Sequence, residues 1–510
     1  MNIPKEDRYL ISILFILALI IRLMVYIEGG NYPGDGAYRI ILTMNWLKDP
    51  YFITGGLWPP LHFYLMAFTM KIYNDPFTST RLVSLIFGTF IVFPYYYLVK
   101  LLFDKRVAII STLILTFLSI HVQYSTFSMS EVPFIFFLFT SIYFFFRFKR
   151  QIDNKLSNLI VSAIFLNFAS MIRYEGWLFI PLLAALTLDV EEIKNRRLNK
   201  YFTTFLFASM IFPVFWLIGN YNLYGDFFYG QNWSDNYIRT NAILYPDSTY
   251  HNPPIIKRLI TWPWTISYFL NIASIFVVIG LLVSILKKKN LEFLSIFLIL
   301  MSIFTYKTFN LTMTLQSRQM IMPILFIIPY FVTGLDYALN RLNSLNILKF
   351  KSSNKITIII LIFFVATSSY MAMKNPSVIP DYIFDVSIWL NTNVKSNDTV
   401  MLDEYNWWSL YILTFGKFNT TFTEDYLNTH EFVTDQIRIV PGGGKKVDDA
   451  TVIGYLENKP TYLVYFHKGK LSNILNFSTE CKNETRFDYL FECVYGAENY
   501  NIYKQYKVYD

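Results

Sequence analysis

The chain has 510 residues, of which 54% are hydrophobic, 19% aromatic and only 16% charged. Soluble domains carry about 25% charged residues, so this composition excludes a cytosolic enzyme, a disordered scaffold and a small disulfide-stapled secreted domain. The formal net charge of +8 hides a split, because residues 1–373 hold 31 Lys and Arg against 18 Asp and Glu, whereas residues 374–510 hold 13 against 18. The sequence therefore predicts a membrane domain over 1–373 and a water-soluble domain over 374–510.

The hydrophobic residues of the first domain are gathered into long runs. A membrane-spanning helix takes about 20 apolar residues, and these runs approach that length. We therefore predict an α-helical polytopic membrane bundle with about eleven transmembrane helices. The predicted spans are 9–27, 80–99, 107–122, 131–146, 157–172, 176–190, 202–219, 265–286, 291–306, 320–338 and 355–373.

The apolar segment 59–73 could add a twelfth span, which would invert the orientation of every later loop. Without it, 20 of the 31 Lys and Arg residues fall on one side, which marks that side as cytoplasmic. Pro59 and Pro60 interrupt the segment, so we interpret it as a helix in the membrane interface. The N-terminus is then cytoplasmic and the C-terminal domain extracytoplasmic, in a multi-pass protein of the cell (cytoplasmic) membrane. Six Asn-X-Ser/Thr sequons agree with this topology, at Asn232, Asn310, Asn397, Asn419, Asn476 and Asn483.

Two outer segments, 28–79 and 220–264, are much longer than the loops of about 2–8 residues that join helices in bundles. Long loops on one side of a compact bundle indicate a functional face. No internal repeat at a fixed period is evident, which disfavours a secondary transporter.

The first of these loops carries Asp35 between Gly34 and Gly36, just after the first span. A carboxylate there could act as a general base or metal ligand, although Asp beside Gly also makes Asx-turns and helix caps. Further along, His62 could bind a phosphate or transfer a proton near neutral pH. The alternative for His62 is an interfacial anchor beside the two prolines.

Four more charged residues fall on the same outer side. Glu131 opens the fourth span, where a carboxylate is costly unless it faces water or a partner; alternatively, it is a first-turn acid favoured by the helix dipole. Arg173 and Glu175 lie between two closely spaced spans and could form a mutual ion pair that closes the hairpin. Arg318 precedes the tenth span, and its planar fork suits a phosphate, although an interfacial arginine can also snorkel.

Arg22, near the outer end of the first span, adds another cation to this face. Each of these residues is ambiguous alone. Their shared location predicts a pocket of acids and arginines at the outer leaflet, which suits a substrate whose phosphate is anchored in lipid.

Five motifs follow one another in a recognisable order: Gly34–Tyr38, Trp58–Leu65, Arg81–Gly88, Ser128–Pro133 and Arg318–Pro323. In this order the chain resembles the GT-C superfamily of membrane glycosyltransferases, over about residues 1–340. More narrowly, it is similar to the group containing the protein O-mannosyltransferases and the bacterial aminoarabinose transferase. Each motif is loose, and their order is the specific part.

The resemblance implies inverting transfer of a sugar from a polyprenyl or dolichyl phosphate to an acceptor hydroxyl on the outer face. Asp35 would be the general base and Glu131 a second carboxylate of the cavity. Arg318 would hold the donor phosphate. The remaining candidates are His62 and Arg173 for donor binding, with Tyr38, Glu175 and Arg22 in support.

Three positions depart from the family pattern. Gly36 stands where a second acid is common, Trp58 stands where the aminoarabinose transferases have a lysine, and His62 follows the prolines that a histidine precedes in the O-mannosyltransferases.

The expected partners are the lipid-linked donor, a protein, glycan or lipid acceptor, and membrane lipid. Nucleic acid is not expected, because positive-inside loops explain the basic charge. No obligate cofactor is inferred, since a lipid phosphate can leave without metal help; a divalent metal is compatible with these residues but unsupported.

The C-terminal domain alternates strand and helix patterns and predicts a small α/β fold. The predicted elements are strand 398–402, helix 407–414, helix 448–457 and strand 461–466, with a flexible Gly-rich loop at 441–446. Cys481 and Cys493 flank a candidate hairpin, either as a disulfide or as two thiols.

A glycosyltransferase is the favoured function. The alternative is a non-enzymatic membrane protein, either a transporter or a lipid-binding assembly factor. Ionisable residues along mid-membrane positions would favour transport, whereas the candidates here cluster at one face.

Overall fold

The structure is a computed structural model. It describes residues 5–29, 34–152, 154–188, 199–244, 246–249, 251–344, 353–374, 380–395, 397–403, 412, 437–440, 449–457, 460–469 and 471–507. Internal contacts divide the chain into two units. The membrane unit comprises Met1–Gly29, Phe52–Leu65 and Arg81–Pro376, and the C-terminal unit comprises Gly30–Tyr51, Met66–Thr80 and Ser377–Asp510. The C-terminal unit therefore includes two parts of the first outer loop in addition to the predicted domain 374–510.

Helices make up nearly all of the described chain up to residue 374. In order they are α1 (Lys5–Glu28), α2 (Gly34–Lys48), α3 (Leu61–Ile72), α4 (Pro76–Phe90), α5 (Val92–Leu102), α6 (Lys105–Phe117), α7 (Ser119–Tyr124), α8 (Glu131–Lys149), α9 (Lys155–Ser170), α10 (Glu175–Ala185), α11 (Lys200–Ser209), α12 (Ile211–Tyr224), α13 (Tyr229–Leu244), α14 (Ile255–Leu270), α15 (Ala273–Lys287), α16 (Leu291–Phe309), α17 (Ile321–Ser344) and α18 (Ser353–Lys374). A short 3-10 turn, Ser317–Met320, precedes α17.

Within the described residues, six helical stretches are long and apolar enough to cross a membrane, or up to eight if each of two bent pairs counts as one span. The six are Glu6–Glu28, Pro76–Leu102, Glu131–Lys149, Leu291–Phe309, Ser317–Arg341 and Lys355–Lys374. The chain is a multi-pass membrane protein, as predicted, but the count of eleven spans is not confirmed. The helices α9 and α10 are apolar but shorter, and the predicted span 107–122 is divided at Leu118 into α6 and α7.

The predicted span 265–286 is wrong as a continuous helix. The first helix of this pair, α14, ends at Leu270, the second, α15, begins at Ala273, and the two differ in direction by 115°. Asn271 between them has a φ of +57°, a left-handed conformation that asparagine tolerates better than most residues. Its Nδ2 donates a hydrogen bond of 3.0 Å to Thr367 Oγ1 on α18. Hydropathy missed the break because an apolar run carries no information on backbone direction.

The two segments predicted as long outer loops are largely helical. The segment 28–79 contains α2 and α3, and the segment 220–264 contains α13 and the first part of α14. The predicted span 202–219 corresponds to α11 and α12, which are bent by 42° at Met210. Both outer segments therefore present ordered surfaces rather than extended loops.

The close packing of α15 against α17 depends on two glycines that face each other. A Cβ atom on Gly280 would overlap the carbonyl oxygen of Tyr330, and one on Gly334 would overlap the carbonyl oxygen of Phe276. The two helix backbones are in direct contact here, the arrangement that small residues allow between membrane helices.

Replacing Gly280 by Ala should therefore lower the free energy of unfolding by about 1–3 kcal/mol, because the methyl group forces the two helices apart. The measurement is the thermal unfolding midpoint of the purified protein in detergent. Gly454→Ala is the control, since Gly454 is a helical glycine with nothing within 4 Å of its Cβ position. An unchanged midpoint for Gly280→Ala would contradict the close approach.

The C-terminal unit is built on a six-stranded sheet of order β2-β1-β3-β6-β5-β4. Its strands are β1 (Val400–Asp403), β2 (Ile437–Val440), β3 (Tyr462–Phe466), β4 (Glu484–Arg486), β5 (Tyr489–Ala497) and β6 (Tyr500–Lys507). The first three strands are parallel, with β1 between β2 and β3, and the remaining pairs are antiparallel. Its helices are α19 (Asp381–Asn393), α20 (Asp449–Glu457) and α21 (Ser472–Leu475).

Alternate strand residues face opposite sides of this sheet, as the two-residue period of a strand requires. One face, including Leu402, Val464 and Ile502, packs against α19 and α2. The other face, including Leu463 and Tyr503, packs against α20 and α21. The sheet is therefore covered on both sides, and α2 supplies part of one cover.

The predicted α/β class of the C-terminal domain is confirmed. The predicted strands 398–402 and 461–466 and the helix 448–457 correspond to β1, β3 and α20. Cys481 and Cys493 are joined by a disulfide beside the β4–β5 hairpin. The predicted helix 407–414, apart from Ile412, and the Gly-rich loop 441–446 lie outside the described residues.

Candidate active site

The candidate site of the membrane unit is centred on Glu131, the first residue of α8. The carboxylate occupies the first turn, where the helix dipole favours a negative charge. The residue is only 4% exposed. Its Oε1 accepts a hydrogen bond of 2.9 Å from Arg173 Nη1, and Arg318 Nε lies 3.6 Å from the same oxygen. Two arginines thus converge on one buried carboxylate.

Arg173 lies in the turn that joins α9 to α10, and its guanidinium bridges two acids. Its Nε and Nη2 donate to the two carboxylate oxygens of Glu175, at 3.2 and 2.6 Å. Its Nη1 donates to Glu131 and also to Ser130 Oγ at 3.1 Å. The ion pair expected between Arg173 and Glu175 is present, and Arg173 also forms an ion pair with Glu131. The planar fork of an arginine allows this geometry, which a lysine could not reproduce.

Burial acts to lower the pKa of Arg173, because it penalises the charged form. The negative charges of Glu175 and Glu131 oppose burial, and the net result is a pKa above the usual value of arginine. Arg173 therefore stays charged at every physiological pH.

Arg318 enters the site from the 3-10 turn before α17, with a side chain that is 11% exposed. A small cavity of about 20 Å³ lies beside the charged group. Its lining residues are Glu131, Arg173, Glu175, Arg318, Gln319, Phe134, Ile135, Phe304 and Met322. The second carboxylate oxygen of Glu131, Oε2, is buried and has no hydrogen-bond partner within the part of the chain that the structure describes. It can accept a hydrogen bond from a ligand.

The first outer segment meets the turn that carries Arg173. The hydroxyl of Tyr174, the next residue, donates to Gly56 O at 3.3 Å and accepts from Trp216 Nε1 at 2.9 Å. Asn220 Oδ1 accepts from the Gly56 backbone N–H at 2.8 Å. The first outer segment is thereby fixed to α12 and to the 173–175 turn.

His62 lies at the start of α3 and is fully buried. The helix begins where the Leu61 backbone N–H donates to Met171 O at 2.9 Å. The start of α3 is thus held against the segment that leads into Arg173.

Arg22 has a different environment from the one that the sequence suggested. It is fully buried in α1, and its guanidinium donates to Ser125 Oγ, His121 Nδ1 and the carbonyl oxygens of Ala18 and Thr116. These bonds tie α1 to the break between α6 and α7, rather than to the Glu131 group. Arg22 is a structural residue of the bundle.

Asp35 and Tyr38 belong to the C-terminal unit, on α2. Asp35 occupies the first turn of α2, the position that a helix-capping acid would take, and it is partly exposed. Tyr38 is partly buried against the hydrophobic core of that unit. Among the described residues, no group of three or more His, Cys, Asp or Glu is placed to hold a metal ion.

Residues 58–217 match the family described as Dolichyl-phosphate-mannose-protein mannosyltransferase. Among solved structures, ArnT from Cupriavidus metallidurans bound to undecaprenyl phosphate is similar, with a TM-score of 0.62 and 13% identity over 96% of this chain and 97% of that chain. The archaeal oligosaccharyltransferase AglB from Archaeoglobus fulgidus is similar with a TM-score of 0.54 and 13% identity, over 90% of this chain and 70% of that chain. The chain has the GT-C glycosyltransferase fold. No curated protein matches the sequence significantly.

The GT-C resemblance inferred from motif order is thus confirmed, and the structure adds residues to the site that the sequence did not single out. Lys307, at the end of α16, forms an ion pair of 3.2 Å with Asp235 of α13. Tyr174 and Trp216 hold the first outer segment through the hydrogen bonds of the Tyr174 hydroxyl. A lysine at the end of a span and a tyrosine beside an ion pair are both common at membrane interfaces, so their sequence context carried no distinguishing signal.

Removing the charge of Arg173 should be strongly destabilising, because the buried Glu131 and the partly buried Glu175 would lose their counter-charge. We expect Arg173→Gln to lower the free energy of unfolding by about 3–5 kcal/mol, measured by thermal unfolding in detergent. Adding Glu131→Gln and Glu175→Gln should recover most of the loss, since the repulsion between the two acids then disappears.

The control is Arg106→Gln, which breaks an exposed ion pair of 2.8 Å with Asp336, where the side chains are 42% and 36% exposed. An exposed pair contributes about 0–1 kcal/mol, so this variant should be nearly neutral. Equal losses in the free energy of unfolding for Arg173→Gln and Arg106→Gln would show that the ion pairs of Arg173 stabilise the protein no more than an exposed pair does.

Proposed function

We propose that this chain transfers a sugar from a polyprenyl- or dolichyl-phosphate donor to an acceptor hydroxyl on the outer face of the membrane. The observation that carries the proposal is the buried group of Glu131, Arg173, Glu175 and Arg318 around a cavity in a bundle with the GT-C fold. Two proteins of similar fold support it, since ArnT was solved with undecaprenyl phosphate and AglB with an inhibitory peptide and a dolichol-phosphate. The matched family is likewise named for a dolichyl-phosphate sugar.

Arg318 is the proposed phosphate ligand. Its distance of 3.6 Å from Glu131 is an ion pair but longer than a hydrogen bond, so phosphate oxygens can compete for the guanidinium. Arg173, by contrast, has its three nitrogens engaged by Glu131, Glu175 and Ser130. Its role is to hold Glu131 in place. His62, a member of the motif Trp58–Leu65, is buried at the start of α3.

Glu131 then has two tasks in the proposed reaction. Its Oε1 keeps both arginines oriented, and its free Oε2 accepts a hydrogen bond from a sugar hydroxyl of the donor. A buried carboxylate oxygen left without a donor is costly, so a hydroxyl that fills this position gains affinity. Glu175 supports the group through Arg173.

Asp35 is the proposed general base, supported by its place after α1 in the motif Gly34–Tyr38. Its carboxylate takes the proton of the acceptor hydroxyl as that oxygen attacks the anomeric carbon. The bond between the anomeric carbon and the phosphate oxygen breaks, the lipid phosphate leaves, and the configuration inverts. The negative charge that develops on the leaving phosphate is stabilised by Arg318.

The acceptor is a protein, a glycan or a lipid hydroxyl. The topology that accompanies this function has a cytoplasmic N-terminus and an extracytoplasmic C-terminal unit, as the basic loops favour. The Cys481–Cys493 disulfide is compatible with that location, because disulfides persist in oxidising compartments.

Asp35→Asn tests the assignment of the base. Membranes that contain the variant should lose transfer from labelled polyprenyl-phosphate sugars by at least about 100-fold, because general base catalysis typically contributes about 10²–10⁴-fold. Expression and membrane insertion should be unchanged. The matched control is Asp49→Asn, an exposed acid just beyond the other end of α2, which should keep full activity.

Transfer that persists in Asp35→Asn would remove Asp35 from the mechanism. A wild-type protein that moves labelled lipid-linked sugar across the membrane without forming a glycosylated product would instead favour the transporter alternative.

Arg318→Lys tests the phosphate site separately. Lysine keeps the positive charge but loses the planar two-donor fork, so the KM for the lipid-phosphate donor should rise by about tenfold or more. The KM for the acceptor should not change, because that substrate does not contact the phosphate site. Equal effects on both KM values would place Arg318 outside the donor site.

A further inference from the structure

The candidate base Asp35 lies on a helix that is packed into the core of the C-terminal unit. Ala37 and Ile41 of α2 are fully buried, with 0% and 1% exposure. They share one hydrophobic core with Ile383 and Val386 of α19 and with Phe466 of the sheet. The chain thus places the first outer helix in the same core as residues about 340 positions later.

The docking face follows from the spacing of these residues. Ala37 and Ile41 are four residues apart, so they lie on one face of α2. Asp35 is two residues before Ala37, which is about 3 Å along the helix axis at 1.5 Å per residue. Because an α-helix is stiff over such a distance, the packing of Ala37 and Ile41 determines where the Asp35 carboxyl lies.

The helix would not be stable without this docking. It has 15 residues, and isolated helices shorter than about 12–15 residues are marginal in water. Gly34 and Gly36 in its first turn lower its helix propensity further. The face that α2 buries in the core of the C-terminal unit stabilises the helix near the end that carries Asp35.

We propose that the C-terminal α/β unit positions the general base, and that Ala37 and Ile41 are the positioning residues through which it acts. The catalytic part of this inference rests on the proposed function, whereas the docking of α2 does not. Among the described residues, the core on the other face of the sheet, formed with α20 and α21, includes no residue of α2.

The opposite face of the sheet supplies a matched control. Ile41→Ala and Leu456→Ala each remove three carbons from a fully buried side chain. Ile41 is on α2, and Leu456 is on α20, which covers the opposite face of the sheet. Both variants create a cavity in the same unit and should lower its thermal unfolding midpoint. Only Ile41→Ala should disturb α2.

The experiment measures hydrogen exchange of the amides of residues 34–48 and steady-state kinetics on the full-length protein in detergent. Ile41→Ala should speed α2 exchange and lower kcat, each by about tenfold or more, because misplacement of a catalytic group by about 1 Å can cost about 100-fold. The KM for the lipid-phosphate donor should change by less than about twofold, since the donor site is on the membrane unit. Ile41→Val should restore both exchange and kcat, and Leu456→Ala should leave them near wild type.

Val386→Ala provides a second variant from the α19 side if Ile41→Ala does not fold, and it should also speed α2 exchange. Unchanged α2 exchange in these variants would overturn the docking. An equal fall of kcat in Leu456→Ala would overturn the positioning role, because general destabilisation would then account for the loss. If these variants speed α2 exchange but the wild-type protein transfers no sugar, the docking of α2 stands. The proposed function and the positioning role would then both be refuted.

Discussion

The candidate site of the membrane unit depends on the ion pairs of the Arg173 guanidinium. This guanidinium neutralises the buried carboxylate of Glu131 and the partly buried carboxylate of Glu175, and a buried carboxylate is costly to keep ionised alone. Through these contacts the turn between α9 and α10 is joined to the first turn of α8 and, through Glu131, to Arg318. Because the residue after Arg173 also anchors the first outer segment, one tight turn organises the cavity and its surroundings.

The sequence predicted a shared location for Glu131, Arg173, Glu175 and Arg318, and the structure brings these four side chains together. Glu131, Arg173, Glu175 and Arg318 could be grouped because each begins, ends or joins predicted spans on one side, and a bundle brings such ends together. Arg22 was grouped with them for the same reason, but its guanidinium has other hydrogen-bond partners in the structure. Position along a span does not reveal which neighbours a side chain meets, and Arg22 turns inward to the break between α6 and α7.

Two features of the fold could not have been predicted from local patterns. The bend of 115° at Asn271 depends on a single backbone conformation within an apolar run. The docking of α2 on α19 is a contact between segments far apart in the chain, and a single sequence contains no record of such pairs. By contrast, β1, β3 and α20 have local periodicities that a single sequence displays.

The burial of Ile41 in the same core as Ile383 also has a consequence for biosynthesis. The two residues are about 340 positions apart, so at roughly 5–20 residues per second α2 emerges from the ribosome roughly 17–70 s before α19. The core that α2 shares with α19 cannot form during that interval. The outer segment that carries Asp35 therefore acquires this packing late in synthesis.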